Sequence, residues 1–190
     1  KRWTYFTGRS RGFVCMPRAE VMNHMLEPEN FALAISRQNK GGHGFKHVFC
    51  HQNIAESSLV SNKTSEISST LPLYLYDKRT LHQSRQINFD HKLYSQIKDL
   101  AINPEHDEAD EVQVFDYIYG VLHCPEYRKA FAEFLAMDYP RIPWPKTPNE
   151  FWDISKKGSQ LRSLHLMQTE TMGNIKNTFG EDFSPTWLNQ

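Results

Sequence analysis

Val114-Phe115-Asp116-Tyr117-Ile118-Tyr119-Gly120-Val121-Leu122-His123-Cys124-Pro125-Glu126-Tyr127-Arg128 is the stretch on which the reading of the fold turns. Phe115, Ile118, Tyr119 and Leu122 recur at three- and four-residue intervals, the period of one helix face. Pro125 fits the first position of a new helix, where its missing N–H is not needed. That third helix carries a stripe of Tyr127, Ala130, Phe131, Phe134 and Leu135. Towards the carboxy end, Asp138-Tyr139-Pro140-Arg141-Ile142-Pro143-Trp144-Pro145 holds three prolines in six residues and predicts a stiff, extended connector. Thr147-Pro148-Asn149-Glu150 has the pattern of a capping box with proline at the first helical position, so a fourth helix is expected from near Pro148. Towards the amino end, Leu93, Ile97 and Leu100 share a face of a first helix, capped by Asp90.

Before about residue 90 the apolar period is two instead. Short β-segments are expected at Trp3–Thr7, Phe13–Met16, Phe31–Ile35, Lys46–Cys50 and Leu71–Tyr76, with a short helix over Pro17–Met25 left open by the pattern. The loops between them run through Gly8–Gly12, Arg37–Gly44 and Ser61–Thr64, and they hold many of the basic residues. The fold class that follows is α+β: a β-rich, basic amino-terminal lobe over residues 1–92, then an acidic helical lobe over 93–190.

Charge supports the same division. The 190 residues sum to zero, but residues 1–92 hold 13 Lys plus Arg against 7 Asp plus Glu, and residues 93–190 hold 9 against 15. A basic surface suits a polyanion, with the acidic half turned away from it; chance segregation of solvated charges is the plainer alternative. No apolar run approaches the roughly 18 residues that a membrane-spanning helix needs. Three cysteines, Cys15, Cys50 and Cys124, form no even set and no close pair, which fits a reducing cytoplasm better than a disulfide framework. The chain opens on Lys1 without a secretory pattern and reads as an excised fragment.

The usual catalytic devices are missing from the sequence. There is no phosphate-binding G-x-x-x-x-G-K-[ST], no G-x-S-x-G and no H-E-x-x-H. Adjacent prolines do not occur, so the Asn/Asp-Pro-Pro-aromatic turn that holds a flipped base in amino-methyltransferases cannot be built here. His43, His47 and His51 are spaced by four and would lie on one side of a strand; polar groove histidines account for them better than metal ligands, since no fourth ligand accompanies them. Asp77 with Asp90 and Lys92 imitates a magnesium nuclease pattern, but Asp90 is better placed as a helix cap. Phe115, Tyr119, Tyr127 and Phe131 have core spacing, whereas Tyr5, Phe6 and Phe13 interleave with Arg9 and Arg11 and suit base stacking. No catalytic or metal-ligating residue is therefore assigned to this chain.

The quoted stretch, continuing through Phe134-Leu135 to the Asp138–Pro143 connector, closely resembles the carboxy-terminal part of large single-chain restriction-modification enzymes of the Type ISP group and the related Type IIG enzymes. Gly12-Phe13-Val14-Cys15-Met16-Pro17-Arg18, Ser36-Arg37-Gln38, Leu59–Thr64 and Leu71-Pro72-Leu73-Tyr74 resemble that family's target-recognition region, in the same order. The resemblance runs from about residue 3 to residue 166. It departs at Cys124, where the family commonly has serine and the cap before Pro125 is stronger, and after Met167, where the family's further strand is not found. The resemblance implies a domain that reads double-stranded DNA for an N6-adenine methyltransferase elsewhere in the same parent chain. It further implies S-adenosylmethionine for that parent, with magnesium for any nuclease.

Recognition needs phosphate contacts that fix register and a few groups aimed at base edges. Arg9, Arg11, Arg18, Lys40, Lys46 and Lys63 are the candidate phosphate contacts. Arg37, Gln38 and Asn62 are the candidate base readers: arginine pairs bidentately with guanine, and glutamine or asparagine with adenine. The competing account of each is a solvated or turn-forming loop residue. Two other functions remain open from sequence, a protein-interaction module without DNA affinity and a small magnesium-dependent nuclease using Asp77, Asp90 and Lys92.

Overall fold

The centre of the β-half is a strand whose five residues are all buried, β1 at Ala32–Ser36. A computed structural model describes residues 19–38, 44–56, 59, 67–77 and 84–168. Ahead of β1 lie a single helical turn, α1 at Ala19–Met22, and a 3-10 turn at Asn23–Leu26. Together they cover most of Pro17–Met25, where the sequence pattern leaves a short helix open, and run one residue past it to Leu26. β1 runs antiparallel to β2, Val48–His51, on one side and to β3, Ser68–Pro72, on the other. Having neighbours on both edges and cover on both faces, β1 reads as a continuous apolar run. Its alternation still sorts the side chains: Leu33 and Ile35 enter the main core, while Ala32 packs with Met22, Met25 and Ala55. The expected segments at Trp3–Thr7 and Phe13–Met16 lie outside the described residues.

The expected strand Leu71–Tyr76 is two strands. β3 ends at Pro72, and β4, Tyr74–Asp77, pairs instead with β5, Ser84–Ile87, in a separate two-stranded sheet. The break is held by Asn30, fully buried, whose amide accepts from Tyr74 N at 3.1 Å and donates to the Tyr74 carbonyl at 2.9 Å. Its amide also donates to the His24 carbonyl at 2.9 Å. A side-chain amide thus takes the backbone partners that a continuing ladder would supply, and the chain changes sheets at Leu73.

Four helical regions follow, as the periodicity predicts. α2 spans His91–Leu100, and Asp90 caps it, accepting from Leu93 N at 3.0 Å. Of its apolar face only Ile97 is buried; Leu93 is 52% exposed and Leu100 42%. α3 spans Glu111–His123 behind a reciprocal Asp110–Gln113 capping box. The third region is broken at Phe131 into α4, Pro125–Ala130, and α5, Ala132–Met137. Tyr127 and Leu135 of its stripe are buried, while Phe131 at the break is 44% exposed. α6 runs Pro148–His165, with Thr147 accepting from Glu150 N at 3.2 Å. The Glu150 carboxylate reaches one residue further back than a capping box requires, accepting from Lys146 N at 2.7 Å.

α3 and α6 touch backbone to backbone. A Cβ on Gly158 would stand 1.8 Å from the Asp116 carbonyl oxygen, and one on Gly120 would stand 2.7 Å from that of Ile154. Beside this crossing, buried Asp116 accepts from Arg162 Nε at 2.6 Å and Nη2 at 2.9 Å, a bidentate pair. One apolar core joins both halves: Phe31 meets Phe115 edge-on at 4.8 Å, and Leu33, Ile35, Val48 and Leu73 belong to the same cluster as Tyr119, Leu122 and Phe151.

Candidate nucleic-acid interface

Register places the candidate readers. Ile35 faces Val48, and Ser36 faces Ser68, so the carboxy end of β1 and the amino ends of β2 and β3 share one end of the sheet. Arg37 and Gln38 continue from β1, and Lys46 and His47 lead into β2. The exposed Ile67 leads into β3. Arg37, Gln38 and Lys46 are all exposed there. The structure therefore brings together three of the predicted contact residues, although seven residues separate Gln38 from Lys46 in sequence. Lys40, Asn62 and Lys63, like Arg9, Arg11, Arg18, the aromatic set Tyr5, Phe6 and Phe13, and His43, lie outside the described residues.

The proline connector reaches the same sheet end, which the sequence did not foretell. Arg37 Nε donates to Asp138 Oδ1 at 2.9 Å, across 101 residues of chain, and the Ser69 and Tyr139 hydroxyls share a hydrogen bond of 2.6 Å. A hydrogen bond from the Tyr139 backbone, reinforced by Arg37, holds the Asp138 carboxyl below the usual carboxylate range, so it is charged at neutral pH. Tyr139 is 40% exposed, and the exposed Arg141 guanidinium lies 4.9 Å from the Phe134 ring centre.

Two tyrosines of the helical half fix the connector in turn. Tyr117 donates to the Pro143 carbonyl and Tyr127 to the Arg141 carbonyl, each at 2.9 Å. Burial pushes the Tyr117 hydroxyl up to about 12, so it remains a donor over the whole working range. Prolines remove donors and narrow φ, and the two tyrosines satisfy carbonyls that such a segment leaves open. The residues that make the 114–128 stretch distinctive thus act as a clamp for the connector. Another basic residue of the β-half, Arg85, is engaged elsewhere: it stacks 4.1 Å over the Tyr74 ring and lies 3.8 Å from Glu111.

Competing sites fare differently. Asp90 is taken up in capping α2, and among the described residues no three His, Cys, Asp or Glu side chains come together to hold a metal ion. His47 stacks on Phe49 at 6.4 Å, and His51 Nδ1 is 2.7 Å from the Asn53 carbonyl, so both have structural partners. Burial pushes the Cys50 thiol up to about 12, which makes it an inert core residue. Cys124 makes no capping bond and instead donates to Glu126 Oε2 at 3.1 Å, as expected of a weak cap at this position. Among the described residues no helix is long and apolar enough to cross a membrane.

Comparison with known proteins agrees with this architecture. The chain is similar to DrdV in a cryo-EM DrdV–DNA complex, with 24% identity and a TM-score of 0.57 over 72% of this chain and 12% of that one. It is also similar to a nuclease-deletion mutant of the Type ISP restriction-modification enzyme LlaGI in complex with a DNA substrate mimic, with 25% identity and a TM-score of 0.50. That match covers 72% of this chain and 10% of LlaGI, so the chain spans about a tenth of the length of either structure. No curated protein sequence matches. The family model for the Type ISP C-terminal specificity domain matches residues 1–185, and with nearly the whole length accounted for, the chain belongs to that family.

Proposed function

We propose that this chain reads a DNA sequence on behalf of a restriction-modification enzyme of which it is the carboxy-terminal specificity domain. The observation that carries the reading is the family match over residues 1–185. The gathering of Arg37, Gln38 and Lys46 at one sheet end supports it, because a reader needs base-directed donors next to a phosphate contact. In this reading residues 1–92 form the recognition lobe and residues 93–190 the scaffold. Arg37, Gln38 and Asn62 address base edges; Arg9, Arg11, Arg18, Lys40, Lys46 and Lys63 address phosphates. The apolar groove lined by Leu93, Tyr94, Ile97, Ile142 and Trp144 supports a docking role for the scaffold against the methyltransferase domain of the same parent chain. Transfer of a methyl group from S-adenosylmethionine to adenine belongs to that domain, as does any magnesium-dependent cleavage to a nuclease domain. No residue of this chain is assigned to either step.

The test is selection from a pool of randomised duplexes by the full-length protein, followed by sequencing of the bound fraction. Arg37→Gln and Gln38→Ala should each relax the preference at one base pair, by a factor of about 5 to 150 for a lost bidentate contact worth about 1–3 kcal/mol. Lys46→Ala should instead weaken binding to all duplexes and lower the salt slope by about one unit. Uniform weakening by all three substitutions would remove the reader assignment.

A further inference from the structure

We infer that Asp138 is a specificity-determining positioning residue, which orients Arg37 for its base contact from the far half of the chain. This rests on the reading of Arg37 as a base reader. A carboxylate on a DNA-facing surface repels phosphates, so its presence at this sheet end calls for a local reason. An exposed ion pair contributes little to stability, and this one is exposed on both sides, at 66% for Arg37 and 45% for Asp138. Geometry supplies a different use. The bond to Asp138 engages Nε, at the inner end of the guanidinium, and the planar fork carries further donors on Nη1 and Nη2. Those donors are the ones that match O6 and N7 of guanine. An arginine held by one edge loses less rotamer freedom when the other edge meets a base, which sharpens discrimination without adding a contact to DNA.

The support behind Asp138 is rigid. Its connector is stiffened by Pro140, Pro143 and Pro145, fixed at two carbonyls by Tyr117 and Tyr127, and joined to β3 through Tyr139 and Ser69. Asp138 therefore acts as a reference point set by the helical half, and the direction of Arg37 follows from it.

The experiment uses the full-length protein, the randomised duplex pool, and the variants Arg37→Gln, Asp138→Ala, Asp138→Asn and the double variant of Arg37→Gln with Asp138→Ala. Asp138→Ala is expected to relax preference at the same base pair as Arg37→Gln, by roughly three- to tenfold. Its affinity for unrelated duplexes should hold or rise, since a negative charge has left the DNA side. Asp138→Asn keeps an acceptor oxygen and should retain part of the preference. In the double variant the Asp138 substitution should add nothing further. Uniform loss of affinity with Asp138→Ala, loss at a different base pair, or a further change in the double variant would each overturn the role. If Arg37→Gln alters preference and Asp138→Ala does not, the positioning role fails and the reader stands. If Arg37→Gln alters nothing, the reader assignment falls and takes the role of Asp138 with it.

Discussion

His123 closes α3 among aromatic and basic neighbours, and its protonation is settled by them. Arg128 Nη2 lies 3.2 Å from its Nδ1, and since arginine only donates, that nitrogen must be the unprotonated acceptor. Burial first, then the charges of Arg128 and His165, hold the imidazole down at about 4. His165 sits 5.5 Å from it, ring to ring, and is itself bonded through Nδ1 to the Tyr119 hydroxyl at 2.5 Å. The folded group thus titrates below the usual value near 6.5 of an unfolded chain. Between those two values the unfolded chain binds a proton that the folded one refuses, so stability falls as pH drops from about 6.5 to about 4. Thermal unfolding of the wild type should show that loss. His123→Gln should flatten the dependence over this window whatever its absolute melting temperature, and an unchanged slope would contradict the assignment.

Among the elements, the α3–α6 crossing depends most on single atoms. Alanine in place of glycine inside an exposed helix ordinarily stabilises by about 1 kcal/mol. At Gly158 the added methyl would meet the Asp116 carbonyl oxygen at 1.8 Å, a backbone atom that cannot swing aside. Overpacking of that kind costs about 3 kcal/mol, which outweighs the gain in propensity. Gly158→Ala should therefore lower the melting temperature, whereas Ala in place of an exposed α6 residue such as Lys157 should not. The helix starts were legible in sequence because their signals are local: Asp90, Pro125 and Thr147 each stand where a cap or first-turn residue belongs. The glycine contact was not, since a lone glycine in a helix looks the same whether it faces solvent or another backbone. β5 was equally hidden, because Ser84-Arg85-Gln86-Ile87 has no alternating apolar side chains and pairs only once Asn30 has turned β4 out of the first sheet. At the candidate interface, loop chemistry pointed to Arg37, Gln38 and Lys46, but Asp138 and Tyr139 reach it only through tertiary docking of the connector.

At the scale of the whole molecule, the charge division along the chain does not correspond to a division of the core. Phe31, Leu33, Ile35, Val48, Cys50, Leu73 and Tyr74 come from the basic half, and they complete the same apolar cluster as Phe115, Tyr119, Leu122 and Phe151 from the acidic half. Arg162 of α6 links them again, with its guanidinium 4.9 Å from the Phe31 ring centre while it pairs with Asp116 of α3. A sheet whose inner face is covered by helices from the other half has no separate stability to fall back on, so the sheet and the helices should unfold together. Phe115→Ala tests this, because Phe115 is buried against Phe31 and truncating such a ring costs about 3 to 5 kcal/mol. Calorimetry of the isolated domain should show one transition moved to lower temperature. Hydrogen exchange should show β1 and α6 losing protection by the same factor. Two separated transitions, with β1 destabilised and α6 untouched, would mean that the sheet end carrying Arg37 is held independently of the helices. The clamp from Tyr117 and Tyr127 through the connector would then have nothing rigid to transmit.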